Sequence, residues 1–253
     1  MFTIEHLDGE RLSADEQGWK VKEMSASGIE QSVISESPTM RPGRLSYGIL
    51  HGSKNYTLVF TKMVSNAAEH EQLVEFVYFH FLRGEPFYLY RDFRKPSERA
   101  DLPSRRAKVV TKSVSPSRNG LKSEISIQLE SYELPFEEDA TIQQRTWTGT
   151  HQFTNSGGHR LDPRYCQMTA KITVSGTGNE LKVLFNGEPY FWYKKPVKAG
   201  DKFVINGTDV TKNGYNCFED CHKRTTFLRM GKNKIEVQGA SCEVLFEYRT
   251  LYL

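Results

Sequence analysis

Long apolar runs are missing from this sequence. The longest uncharged, largely apolar stretch, Phe76 to Leu82, falls far short of the ~20 residues that a membrane-spanning helix requires. The opening segment, MFTIEHLDGERL, carries acidic residues where a secretory leader needs a basic start and an apolar core. The expectation is a protein made and folded in a cytoplasm, with no membrane partner. Cysteine is scarce as well. The chain has 4 in 253 residues, and Cys166, Cys217, Cys221 and Cys242 all lie in the second half. A disulfide framework is therefore excluded for the first half, and free thiols are expected in the second.

Catalytic signatures are also lacking. There is no Gly-x-Ser-x-Gly elbow and no Gly-x-x-x-x-Gly-Lys phosphate loop, and the His70-Glu71 start of a zinc-protease helix meets Val74 where the second ligand belongs. The histidines are scattered. His80 falls on the apolar stripe of a helix and reads as a satisfied core residue. No catalytic residue, cofactor or metal is expected.

Charge of one sign is modest overall, at +3, but unevenly placed. Residues 1–139 hold 18 Lys/Arg and 21 Asp/Glu (18 − 21 = −3), and the rest hold 16 and 10 (16 − 10 = +6). An excess of this size reads as solubility before it reads as an anion-binding surface.

Hairpin turns are abundant. Four Asn-Gly pairs, at Asn119, Asn186, Asn206 and Asn213, carry the sequence signature of type I′ turns. Apolar and polar residues alternate through Ile125, Ile127 and Leu129, through Met168, Ala170, Ile172 and Val174, and through Cys242, Val244, Phe246 and Tyr248. One helix is predicted over about Ala67 to Arg83. Asn66 and Glu69 form a capping-box pattern, Leu73, Phe76, Val77, His80 and Phe81 form a stripe, and Gly84 and Pro86 form the stop.

The fold class expected is mainly β. An amino-terminal β-sandwich-type domain with one α-helix and a β-hairpin extension covers residues 1–136, and a β-sandwich covers 137–253. Between them, after Pro135, Glu137 to Asp139 reads as a solvated connector in which like charges repel. Ser25 to Arg44 and Arg91 to Lys108 read as long exposed segments.

Three groups of side chains are candidate sites. Cys217, Cys221 and His222, with Cys166 or Cys242, are zinc-ligand types, but their spacing is not a usual zinc pattern and buried thiols are expected. Tyr190, Trp192 and Tyr193, with Phe191 beside them and Trp147 elsewhere, could offer flat faces to a sugar ring; the alternative is a core strand. Arg91, Arg94, Lys95, Arg105 and Arg106 could meet nucleic acid, but the interspersed Asp92, Glu98 and Asp101 point to a solvated or interface segment.

Several motifs in order resemble the distal tail proteins of long, non-contractile-tailed phages that infect Gram-positive bacteria. In the first half these are YTLVF (Tyr56 to Phe60), the capped helix, GEPFYLYRDF (Gly84 to Phe93) and SEISIQLESYELPFEED, where Leu134 stands before Pro135 in place of the family's frequent Asp. In the second half they are LKVLFNGE, VKAGDKFVINGTDVTKNG, FLRMGKNKIEVQG and the closing EYRTLYL. The resemblance implies a structural virion protein located in the tail and assembled in the bacterial cytoplasm. It implies a homo-hexameric hub whose central channel passes DNA, with a galectin-like or carbohydrate-module-like second domain. The implied partners are the major tail tube protein, the tail-tip protein and receptor-binding components. The competing expectation is an adsorption protein that binds cell-wall glycans through Trp147, Tyr190, Trp192 and Tyr193.

Overall fold

A computed structural model describes residues 2–36, 45–91, 104–223 and 226–253. By contact density the chain divides into two compact units, Met1–Glu137 with Leu253, and Glu138–Tyr252.

The first unit contains β1 (Phe2–His6), β2 (Arg11–Ser13), β3 (Lys20–Ala26), β4 (Gln31–Glu36), β5 (Leu45–His51), β6 (Asn55–Met63), α1 (Ala67–Phe81), β7 (Phe87–Arg91), β8 (Arg105–Asn119) and β9 (Lys122–Ser131). The main sheet runs β2-β1-β7-β8-β9-β6-β3, and β4 and β5 form a separate two-stranded hairpin. Alternation decides which face is buried: Ile125, Ile127 and Leu129 of β9 are inside, as are Tyr56, Leu58 and Phe60 of the antiparallel β6. Leu73, Val77 and Phe81 of α1 join the same core as Phe2, Ile4, Phe87 and Leu89.

The helix begins where its cap dictates. Asn66 is extended, and its Oδ1 accepts the Glu69 N–H at 2.9 Å. Glu69 reaches back one residue further than a standard capping box, its carboxylate accepting the Ser65 N–H at 2.6 Å. The last helical residue is Phe81, two short of the predicted end, and Leu82 closes the final turn through its N–H on the Tyr78 carbonyl.

β10 (Glu137–Asp139) straddles the boundary. The second unit then contains β11 (Gln143–Thr148), β12 (His151–Asn155), β13 (Met168–Val174), β14 (Leu181–Phe185), β15 (Glu188–Tyr193), β16 (Lys202–Asn206), β17 (Asp209–Lys212), β18 (Tyr215–Asn216), a 3-10 turn at Phe218–Asp220, β19 (Gly231–Gln238), β20 (Cys242–Tyr248) and β21 (Leu251–Tyr252). Two sheets, β11-β20-β13-β16-β17-β18 and β12-β19-β14-β15, pack as a sandwich. Their inner faces meet through aromatic rings. Phe246 of one sheet touches Phe153 and Phe185 of the other edge-on, and Phe203 contacts Phe191 and Tyr193.

All four Asn-Gly pairs sit at hairpins, but only two adopt the expected turn. Asn186-Gly187 and Asn213-Gly214 have positive φ at both positions and are type I′ by that signature. At the other two, the Asn still pairs across the ladder (Asn119↔Lys122, Asn206↔Asp209), so the glycine opens the turn. Gly120 and Gly207 alone have positive φ there, as in type II′.

Among their described residues, two expected open segments are largely strand. Ser25 and Ala26 belong to β3, and Gln31–Glu36 pairs with Leu45–His51, so the stretch read as a loop from Ser25 to Arg44 contains one strand of a hairpin. Arg91 pairs with Arg105, and Arg106 to Lys108 continue β8. Charge on these side chains hides the pattern, because alternate residues are only partly buried and their cations are held by neighbours. Residues 37–44 and 92–103, with Arg94 and Lys95 among them, lie outside the described residues.

Candidate functional site

The acidic run is not a solvated connector. Glu137 and Asp139 are buried, and each is held by cations or donors brought from far along the chain. Lys54 Nζ lies 3.1 Å from Glu137 Oε1, Arg91 pairs with the same oxygen, and Arg105 approaches Oε2 at 3.9 Å. Burial raises the Tyr56 phenol far above its usual range, and the Glu137 carboxylate adds to the shift. In the second unit the Asp139 side chain accepts the Thr250 N–H at 3.2 Å and the Tyr252 hydroxyl at 2.9 Å. Arg249 donates to the Asp139 carbonyl at 2.5 Å. Like charges stay together here because opposite charges and donors compensate them, which a linear reading cannot see.

The basic cluster is absorbed in the same way. Arg91 and Arg105 serve Glu137, and Arg106 lies 3.9 Å over the Tyr88 ring and donates to the Tyr90 hydroxyl at 3.4 Å. Its described members therefore work within the fold.

The aromatic candidates separate by burial. Trp147, Tyr190 and Tyr193 are in the core, so their faces meet protein: Trp147 stacks on His151 and touches Phe246, Tyr190 stacks on Phe185 at 4.3 Å, and Tyr193 meets Phe203. Burial raises the Tyr190 hydroxyl well above its usual range. Trp192 points the other way from β15 and is half-buried. Its indole N–H donates to Glu180 at 2.8 Å, Lys182 Nζ sits 4.3 Å from its ring and His222 stacks on it at 5.6 Å. Period-2 alternation along β15 places one aromatic side out and its neighbours in.

The four cysteines are free and buried. Burial pushes the Cys166 and Cys221 thiols up to about 12 and Cys242 up to about 11, and it raises Cys217 too. Cys221 Sγ is directed at the Cys217 carbonyl at 3.3 Å. Among the described residues these thiols do not converge on a metal-sized cluster; the group that does is His6, Glu10 and His80. His80 is buried as its helical position predicts. It is not satisfied, however, because its Nδ1 lacks a hydrogen-bond partner, as does His6 Nε2.

Two features of the first unit carry groups of exposed apolar side chains. On the β4–β5 hairpin Val33, Ile34 and Leu50 are exposed, and near the end of α1 Phe79 and Leu82 are exposed with Leu7. A two-stranded hairpin by itself is marginal in water. This one carries apolar residues on both faces, since adjacent Val33 and Ile34 point oppositely.

A single-helix, sheet-based unit with its own hairpin, followed by a β-sandwich, is an arrangement shared with a solved phage protein. The SPP1 Dit protein (gp 19.1), described as a paradigm of the hub adsorption apparatus in phages infecting Gram-positive bacteria, matches 98% of this chain over 99% of its own length. The TM-score is 0.68 at 11% identity. A chain of the phage P2 baseplate in its activated conformation is similar at a TM-score of 0.48 and 12% identity, covering 98% of this chain and 97% of that one. A chain of the native gene transfer agent particle covers 53% of this chain and 92% of its own, with a TM-score of 0.30 and 9% identity. No protein-family model matches the sequence, and no curated protein matches it significantly.

Proposed function

We propose that this protein is the distal tail hub of a long-tailed phage of Gram-positive bacteria, a structural component of the virion and not an enzyme. The observation that carries the reading is the likeness to the SPP1 hub protein along essentially the whole of both chains. In this reading the first unit forms a homo-hexameric ring around a channel for DNA. It joins the tail tube to the tail-tip protein, and the second unit carries or contacts receptor-binding components. Assembly takes place in the host cytoplasm.

Two features of the fold support an assembling role. The β4–β5 hairpin exposes apolar residues on both faces and gains a core only by docking on another surface. A closed ring needs such a heterologous contact, one patch of each subunit meeting a different patch of the next. Mass and shape of the purified full chain test the proposal. Discrete six-fold rings in electron micrographs, alone or after addition of the tail-tip protein, are expected; a monomer under both conditions refutes it.

A further inference from the structure

We propose that His6, Glu10 and His80 form a binding site for a divalent late transition metal such as Zn2+, clamping the turn between β1 and β2 to α1. The three side chains each direct one possible ligand atom into the same place, all within 4.8 Å of one another. Imidazole nitrogens and a carboxylate oxygen are the donor set that such ions prefer over Mg2+ or Ca2+.

Local structure brings the first two together. His6 ends β1, and its N–H donates to the Glu10 carbonyl at 2.8 Å while the Gly9 N–H returns to the His6 carbonyl at 2.9 Å. This tight turn folds Glu10 back beside His6. The third ligand arrives from α1, where helical periodicity turns His80 inward with Val77 and Phe81. The two imidazole rings stack 5.9 Å apart, walled by Phe76, Phe79 and Phe87.

Two observations point to a ligand. Both histidines are more than nine-tenths buried, at 5% and 6% exposure, and His6 Nε2 and His80 Nδ1 have no hydrogen-bond partner. Buried polar atoms are nearly always paired, so two orphaned nitrogens in one place need an occupant. Glu10 is also oriented for the role. Arg83 holds its Oε2 at 2.5 Å, which leaves Oε1 facing His80 Nδ1 at 3.8 Å. Ligating carboxylates are commonly fixed by such an outer partner. The guanidinium charge is itself offset by Asp8, 3.6 Å from Arg83.

Bonds of about 2.0–2.2 Å in a tetrahedral zinc site place ligand atoms about 3.3–3.5 Å apart, so the cluster must tighten slightly on binding. Glu10 is the exposed member and can swing inward without disturbing the core. The buried imidazoles are already held by packing. The open side leaves the fourth position to water.

Equilibrium dialysis of the full chain against Zn2+ and Mg2+, with thermal melts and Co2+ spectra, tests the site. Zinc binding at about one ion per chain, a higher melting temperature with Zn2+ but not Mg2+, and a Co2+ complex without thiolate charge transfer are expected. Glu10→Gln, at an exposed position, and His80→Gln each lower zinc affinity by more than the about 10–100-fold typical of outer-partner changes; Arg83→Gln falls within that range. No bound zinc, equal binding by wild type and Glu10→Gln, or a thiolate band pointing to the cysteines overturns the proposal.

Discussion

Lys54 and Glu137 form an ion pair at 3.1 Å with both side chains almost wholly withdrawn from water. Arg91 and Arg105 complete the cluster, so three cations share one carboxylate. Removing it takes the carboxylate from the buried Lys54 ammonium, and breaking a buried pair in this way typically costs about 3–5 kcal/mol. Glu137→Ala is expected to destabilise the first unit by that amount in urea unfolding. Glu137→Gln, which keeps the shape, is expected to recover little of the loss. A change below about 1 kcal/mol, the range of exposed pairs, would show that the cluster is solvated.

Asp201 gives the second unit an acid-sensitive element. Burial by itself raises this carboxyl, but bonds from Lys212 at 2.8 Å, the Lys198 N–H at 3.1 Å and Asn213 at 3.1 Å outweigh it and bring it down to about 2. A depressed carboxyl stabilises the fold above its unfolded value of 3.8, and the contribution disappears as pH falls toward about 2. At about 1.4 kcal/mol per pH unit, the contribution is about 2 kcal/mol near neutrality. Unfolding free energies of wild type and Asp201→Asn are expected to differ by that amount at neutral pH and to converge only as pH falls to about 2 and below.

Thiol chemistry follows from burial. With Cys166 and Cys221 pushed up to about 12 and Cys242 to about 11, almost no thiolate exists at neutral pH. The folded protein is expected to resist a disulfide-exchange reagent, and all four thiols should react at once in denaturant. Fast labelling of any cysteine in the native chain contradicts this arrangement.

The hairpin prediction concerns assembly. Ile34→Glu with Leu50→Glu places charge on two exposed side chains of β4–β5. The folded content by circular dichroism should remain unchanged, because these side chains are outside the core. Rings of the wild type should be replaced by single subunits in light scattering. Intact rings assign the contact to another surface.

Local signals were legible in the sequence and distant ones were not. The Asn66 cap, the α1 stripe and the alternation of β9, β13 and β20 depend on residues within a few positions of one another, and all appear where expected. Glu137 to Asp139 misleads because its compensating groups, Lys54, Arg91, Arg105 and Arg249, lie far away along the sequence. The His6, Glu10 and His80 cluster is hidden for the same reason, since a helix and a turn separated by about half of the first unit must meet before it exists. Along β15 four consecutive aromatics do not reveal which face is inside; burial of Phe191 and Tyr193 follows from Phe203 of the opposing sheet, and Tyr190 is covered by Phe185 of the neighbouring strand. In the Asn-Gly turns, the position of the asparagine within or beside the ladder depends on register, which a dipeptide does not encode.

Strand pairing in the second unit also imposes an order on synthesis. β11 pairs with β20 and β12 with β19, so the earliest strands of the sandwich have partners among the latest. A nascent chain can complete the first unit once Glu137 has left the ribosome, whereas Trp147 and Phe153 stay without their cover until Phe246 and Tyr248 are made. During that interval the aromatic surface is open to solvent and to neighbouring chains, the condition under which incomplete folds aggregate.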